Sequence, residues 1–285
     1  PISGGLQTCG DPDGDGRLGW DVPIDCGRCA NVCPFSAITW QKGELAHVIS
    51  DACYGCGTCA AECKFGAIEM CHFSDQAIYA QIDAILEEDS PQKIVTFACN
   101  WCSYAGADTA GVSRMAYPPN ARIIRTMCSG RVNPEFVWYA FQKGAPVVLV
   151  SGCHYVDCHY IDANRSTVRR VDGLWDGLEK AGIRADRLLL EWCSAAEGAR
   201  WQTIMHETEK KRQSVTAEEL EFTRSALVKA RVPRPRNPKP ADEEQEVEFA
   251  CMRCGHHWGS IFSAKRERTC PECRSNSVHW LRQTN

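Results

Sequence analysis

Lys93-Ile-Val-Thr-Phe-Ala-Cys99-Asn-Trp-Cys102-Ser-Tyr-Ala-Gly-Ala-Asp108 carries the reading of the fold. Residues 93–98 form a short apolar run rich in strand-forming residues, and a helical pattern follows over residues 103–115. The same unit recurs downstream. Residues 122–126 (RIIRT), 146–150 (PVVLV) and 187–191 (RLLLE) are further short runs. Helical patterns over 134–143 and 165–181 separate them, and another follows at about 195–211. Repeated strand–helix units predict a parallel sheet wrapped by helices, with right-handed crossovers. Cys99 and Cys102 follow the first strand, Cys128 the second, Cys153 and Cys158 the third, and Cys193 the fourth. Ligands bind outside the carboxyl ends of strands in open α/β sheets, so these cysteines are expected to converge on one rim.

Cysteine is the anomaly of the composition, at 19 of 285 residues. Disulfide-dense domains are small, secreted and short of core. Here close CxxC pairs surround long apolar segments, and two thiols three residues apart readily share one metal. Metal ligation in a reducing cytoplasm is therefore expected. The net charge of −4 gives no global reason for a nucleic-acid partner. No run approaches the ~18 apolar residues of a membrane span, and the first ten residues do not form a secretory signal.

Cys53-x2-Cys56-x2-Cys59-x3-Cys63 has the bacterial ferredoxin spacing. Cys26-x2-Cys29-x3-Cys33-Pro34 repeats it one step short, and the flank Phe35-Ser36-Ala37-Ile38 answers Phe65-Gly66-Ala67-Ile68. This duplication resembles the two-[4Fe–4S] ferredoxins. The resemblance implies that Cys33, Cys53, Cys56 and Cys59 complete one cluster and that Cys26, Cys29 and Cys63 serve the other. Pro23 stands where the second cluster's first cysteine belongs. Cys9 is the favoured replacement, with Cys71 or a three-iron cluster as alternatives. Residues 11–16 open like an EF-hand loop, but Val22 occupies the position that needs a bidentate glutamate, so a solvated acidic loop is the reading.

Three ordered motifs, residues 99–108, 127–131 (MCSGR) and 152–160 (GCHYVDCHY), resemble the delta subunit of methyl-viologen-reducing hydrogenase, the MvhD/FlpD family. The resemblance implies a [2Fe–2S] cluster with ligands among Cys99, Cys102, Cys128, Cys153 and Cys158, one more than four. Cys193 ranks last. It also implies partners: a heterodisulfide-reductase A-like flavoprotein subunit, and a hydrogenase, formate dehydrogenase or other electron-input subunit. Arg131, His154 and His159 are read either as donors to cluster sulfur or as helix caps and partners of Asp157 and Asp162. A thioredoxin-like dithiol at Cys99/Cys102 is the rival chemistry.

The tail places Cys251-x2-Cys254 and Cys270-x2-Cys273 fifteen residues apart, the spacing of a four-cysteine zinc ribbon whose knuckles also look like those of rubredoxin. The expected architecture is multidomain α+β and α/β. A ferredoxin-like module (1–73) leads through a connecting helix (74–90) to a small parallel-sheet α/β domain (91–212). A helix and proline-rich linker (213–245) precede the ribbon (246–285), which holds zinc or iron. The expected function is one-electron relay within a hetero-oligomeric complex, flavin-based bifurcating or of the ATP-independent benzoyl-CoA reductase type. A freestanding thiol–disulfide oxidoreductase and a zinc-dependent nucleic-acid adaptor are the rivals. No GxGxxG turn in a strand–helix context marks a nucleotide site of its own.

Overall fold

A computed structural model describes residues 6–7, 26–43, 46–70, 72–230, 245–251, 254, 256–262, 271–272 and 278–281. Contacts divide the chain into two compact units, Pro1–Pro233 and Arg234–Asn285.

The first unit begins with two similar halves. β1 (Leu6–Gln7) pairs antiparallel with β4 (Glu69–Met70), and β2 (Ile38–Thr39) with β3 (His47–Val48). Two short helices, α1 (Arg28–Asn31) and α2 (Thr58–Glu62), each follow a left-handed glycine, Gly27 at φ 55° and Gly57 at φ 81°. The halves repeat to the hydrogen bond. Ala37 N donates to Cys33 Sγ and Ala67 N to Cys63 Sγ, both at 3.3 Å. Cys29, Ile38, Cys59, Ala60, Ile68 and Met70 pack between the halves as a small core.

The connecting helix α3 (Asp75–Leu86) starts as its sequence predicts, with Ser74 Oγ accepting from Ala77 N at 3.1 Å. Its Ile78, Ile82 and Leu86 are buried against the main core.

Four strands then form one parallel sheet: β5 (Ile94–Cys99), β6 (Ala121–Thr126), β7 (Val147–Gly152) and β8 (Leu188–Trp192), in the order β6-β5-β7-β8. The helices are α4 (Ser103–Val112), α5 (Pro134–Gln142), α6 (Ala163–Lys180), α7 (Gly198–Gln213) and α8 (Ala217–Ala230). Right-handed crossovers in this order must put α4 on one face and α5 and α6 on the other, and the cores obey. Val95, Phe97, Val148 and Val150 face α3, α5 and α6, with Phe136, Phe141, Leu174 and Leu178 fully or nearly fully buried. Ala98 and Leu149 face α4 and α7, with Ala110, Trp201 and Ile204. β5 and β7 are buried along their whole length, which explains their continuous apolar runs. Burying side chains of that size contributes roughly 1.5–3 kcal/mol each.

The predicted helix over 103–115 ends sooner, at Val112, because Arg114 adopts φ 55° and Met115 N bonds back to Ala110 O. This left-handed stop has no glycine to announce it. α8 docks through the fully buried Arg187, whose guanidinium donates to Pro146 O, Ala145 O and Thr223 Oγ1.

The second unit contains an antiparallel sheet of β9 (Gln245–Cys251), β10 (His257–Phe262) and β11 (Val278–Leu281), with β9 central. Among the described residues, no helix is long and apolar enough to cross a membrane.

Candidate iron–sulfur sites

With strand order β6-β5-β7-β8, the first crossover leaves β5 in one direction and the later ones in the other. The sheet's topological switch point therefore lies between β5 and β7, where a crevice opens outside the carboxyl ends. Cys99 ends β5 and Cys153 directly follows β7, so both stand at that crevice, their sulfurs 3.6 Å apart. Cys102 joins them, the three sulfurs lying within 4.8 Å of one another. Cys158 hydrogen-bonds to Cys153, and Cys128 to Cys158. All five thiols named from the sequence thus form one contiguous group. All are buried or half-buried, and they come from three separate strand ends.

The electrostatics follow from this crowding. Hydrogen bonds from the Cys102 and Cys153 thiols, helped by the N–H groups of Ser103 and Cys102 at the start of α4, outweigh burial and hold Cys99 at about 3. Hydrogen bonds with Cys128 and Cys153 hold Cys158 at about 2. Cys102, although Cys153 pulls it down, rises to about 11 because it donates to Cys99 and is desolvated. Cys153 goes up because its one S–H proton is shared among the Cys102, Cys158 and Cys99 sulfurs, and Cys128 goes up because it donates to Cys158 and is buried. Thiolate is the metal-ligating form, so a group in which Cys99 and Cys158 are pulled below the ordinary thiol value suits a cation.

Cys193 behaves differently. It lies in the small-residue core between α4 and α7, donates to Ser194 O and Glu197 O at 3.5 Å, and is pushed up to about 12 by burial. The partners found for Arg131, His154 and His159 are not sulfur. Arg131 donates to Phe73 O and pairs with Asp75, His154 pairs with Glu197 at 2.6 Å, and His159 stacks on Trp101 at 3.9 Å. The expected partners Asp157 and Asp162 take no part in these pairs. What donates to sulfur instead is backbone N–H: Gly130 to Cys128, Cys102 and Ser103 to Cys99.

In the duplicated module the thiols fall into two electrostatic neighbourhoods. Burial pushes Cys59 well up, and the Cys56, Cys53, Cys33 and Cys29 thiols add to it; Cys33 also acts on Cys53 and Cys56. Burial raises Cys29, with Cys26 and Cys63 as its charged neighbours. Cys9, Pro23 and Cys71 lie outside the described residues. So do Cys270 and Cys273. Cys251 closes β9 and Cys254 stands exposed beyond it.

The two thiol groups touch. Cys56 of the duplicated module packs with Cys128, Tyr160 and Ala163 of the α/β domain, with Phe35 and Cys158 against them. An aromatic series covers this contact: Tyr54 stacks on Phe35 at 4.4 Å, Phe35 meets Tyr160 edge-on at 6.1 Å, and Trp101 Nε1 donates to Tyr160 Oη at 2.9 Å. Sequence reasoning missed this junction. Arg131 Nη1 and Arg170 Nε and Nη1 are buried there without hydrogen-bond partners. Thiols that become thiolates, beside cationic donors left unmatched, fit an anionic iron–sulfur cluster.

A doubly wound sheet with thiols gathered at its switch point, packed against a duplicated cysteine module, defines an iron–sulfur protein. Residues 94–215 match the family model described as methyl-viologen-reducing hydrogenase, delta subunit, and residues 22–74 match the LdpA Fe-S cluster-binding domain. The chain is 51% identical over 122 residues to the iron-sulfur D subunit of the vhc F420-non-reducing hydrogenase of Methanococcus voltae, covering 43% of this chain and 85% of that protein. It is 44% identical over 196 residues to the A subunit of the ferredoxin:CoB-CoM heterodisulfide reductase of Methanosarcina mazei, covering 68% of this chain and 25% of that one. The iron-sulfur D subunit of the F420-non-reducing hydrogenase of Archaeoglobus profundus is 44% identical over 122 residues, with 43% and 89% covered. The chain belongs to the family of the delta subunit of methyl-viologen-reducing hydrogenase, and it carries an Fe-S-binding domain ahead of the family's own region.

Proposed function

We propose that this chain is an electron-transfer subunit that relays single electrons within a hetero-oligomeric redox complex. It does so between an electron-input partner, such as a hydrogenase or formate dehydrogenase, and a heterodisulfide-reductase A-like flavoprotein. The observation that carries this is the packing of Cys56 on Cys128, which makes two cysteine groups neighbours. The names of the relatives support it, since they are iron–sulfur subunits of hydrogenases and the A subunit of a heterodisulfide reductase. A benzoyl-CoA reductase-type complex is a second home with similar parts.

The ligand assignment has Cys33, Cys53, Cys56 and Cys59 on one [4Fe–4S] cluster, and Cys26, Cys29, Cys63 and Cys9 on another. Four of Cys99, Cys102, Cys128, Cys153 and Cys158 take a [2Fe–2S] cluster, and Cys251, Cys254, Cys270 and Cys273 take zinc or iron. The division into modules at 1–73, 74–90, 91–212, 213–245 and 246–285 follows these sites, and a cytoplasmic setting suits reduced thiols. When bound, the clusters supply one-electron redox capacity. The chain itself holds them close, donates backbone N–H groups to sulfur and keeps water from the junction. In this order electrons pass between the α/β site and the Cys56-containing site, with the Cys26, Cys29 and Cys63 site beyond.

Anaerobic iron, acid-labile sulfide and zinc analysis of the purified chain tests the reading. About ten irons and one zinc per chain are expected from two cubanes, one [2Fe–2S] cluster and a ribbon. Fewer than about four irons, or no sulfide, overturns it.

A further inference from the structure

The charges at the contact between the two cysteine groups do not balance. Arg131 is fully buried; Asp75 and Phe73 O hold its Nε and Nη2, and its Nη1 makes no hydrogen bond. Arg170 is matched only loosely, by a long ion pair with Glu62. Its side chain is a tenth exposed, its Nη2 donates to Gly130 O at 2.6 Å, and its Nε and Nη1 make no hydrogen bond. The nearest carboxylate, Glu62 Oε2, stands 3.8 Å away, beyond hydrogen-bond reach, and Glu62 Oε1 is already held by Arg28 at 2.5 Å. Glu62 is thus shared between the half-exposed Arg28 and the buried Arg170, and its hydrogen bond goes to Arg28. Burial pulls Arg170 down to about 10, opposed by Glu62 and then by Cys128, so it is a cation at neutral pH.

A buried cation short of partners is costly unless something anionic faces it. The loop that receives its one hydrogen bond, Ser129–Arg131, directly follows Cys128 and packs on the start of α2. A Cβ on Gly130 would collide with Thr58 Oγ1, and one on Gly57 would stand 2.5 Å from Arg131 Cδ. Arg170 is thus held at the seam where the loop after Cys128 meets α2, and Glu62, beside it, lies between Cys59 and Cys63 in the chain.

We propose that Arg170 is a positioning residue for electron transfer: its buried charge raises the reduction potentials of the clusters on both sides of the seam. This rests on the relay reading, in that both thiol groups must hold iron–sulfur clusters. Accepting one electron adds one negative charge to a cluster and breaks no bond, so a fixed neighbouring cation favours the reduced form. Its guanidinium, held by Gly130 O and the surrounding packing, cannot swing away as a surface lysine would.

The test is an anaerobic redox titration of the full chain, followed by electron paramagnetic resonance, on wild type, Arg170→Gln, Arg170→Lys and Glu62→Gln. In Arg170→Gln the reduced-to-oxidised ratio of the [2Fe–2S] signal at a fixed potential falls about tenfold, which is about 59 mV for one electron. Arg170→Lys recovers most of that change, and Glu62→Gln shifts the ratio the opposite way. A purely structural role would not give opposite signs for the two charges. Unchanged potentials in Arg170→Gln with full iron and sulfide overturn the proposal, as does a lysine variant no better than glutamine. A wild-type chain lacking sulfide overturns the relay reading and this inference with it.

Discussion

Replacing Arg131 by Met removes one half of a buried ion pair while keeping most of the stem that fills the seam. The Arg131 side chain is wholly buried and that of Asp75 is 5% exposed, so the variant takes the guanidinium from a carboxylate held away from water. Breaking a buried pair from one side costs about 3–5 kcal/mol. Phe73 O loses its donor, and the guanidinium no longer lies over the Phe136 ring at 5.0 Å, adding about 1 kcal/mol. A total near 5 kcal/mol corresponds to a fall in melting temperature of about 10–20 °C for a unit of this size. The assay is an anaerobic thermal melt of the full chain followed by tryptophan fluorescence. The double variant Arg131→Met, Asp75→Asn should recover at least half of the loss, because the buried carboxylate charge that faced Arg131 is gone as well. A fall below about 3 °C, or a double variant as unstable as the single one, refutes the idea that this pair fastens α3 and α2 to the sheet.

Three other outcomes are expected. Gly57→Ala forces a left-handed residue to carry a Cβ into Met70 Sδ, costing about 2–4 kcal/mol, and should lower the melting temperature together with the [4Fe–4S] content; an unaltered melt would contradict the tight seam. Cys153→Ser should abolish the [2Fe–2S] resonance whereas Cys193→Ser keeps iron and sulfide at wild-type levels, and equal losses would place Cys193 among the ligands. Asp186 is held low chiefly by its hydrogen bond with Arg184 and then by Lys211. Its stabilisation is therefore present above about pH 4 and lost as pH falls through its lowered folded value. Because half of its side chain is exposed, Asp186→Asn should cost under about 1 kcal/mol at pH 7, with the difference fading in urea titrations as pH falls through that lowered value.

The sheet was legible because its central strands are buried on both faces, so Val147 to Val150 and Ile94 to Ala98 show as unbroken runs. The site was legible for a related reason: each strand's carboxyl end is marked by a cysteine, and topology does the gathering. What stayed hidden is set by contacts between distant segments. Strand order leaves no trace in a strand's own residues, so the pairing of Cys99 with Cys153 at the switch point could be expected only as convergence on a rim. Cys193 obeys the same placement as the other cysteines yet turns into the core, because Gly106 brings α4 so close that its missing Cβ would lie 3.0 Å from the sulfur. The seam is the clearest case. Gly57, Gly130, Arg131 and Arg170 span more than a hundred positions, and only the folded chain reveals that two of them are glycine for want of room.

The contact of Cys56 with Cys128 changes the kinetics open to this protein. A freestanding ferredoxin must find its acceptor by diffusion, at a rate that depends on concentration and falls with salt. Here the two cysteine groups are already docked, so with a cluster in each, exchange between them would be unimolecular and little affected by ionic strength. Only the outer ends of the chain still have to recognise a stranger.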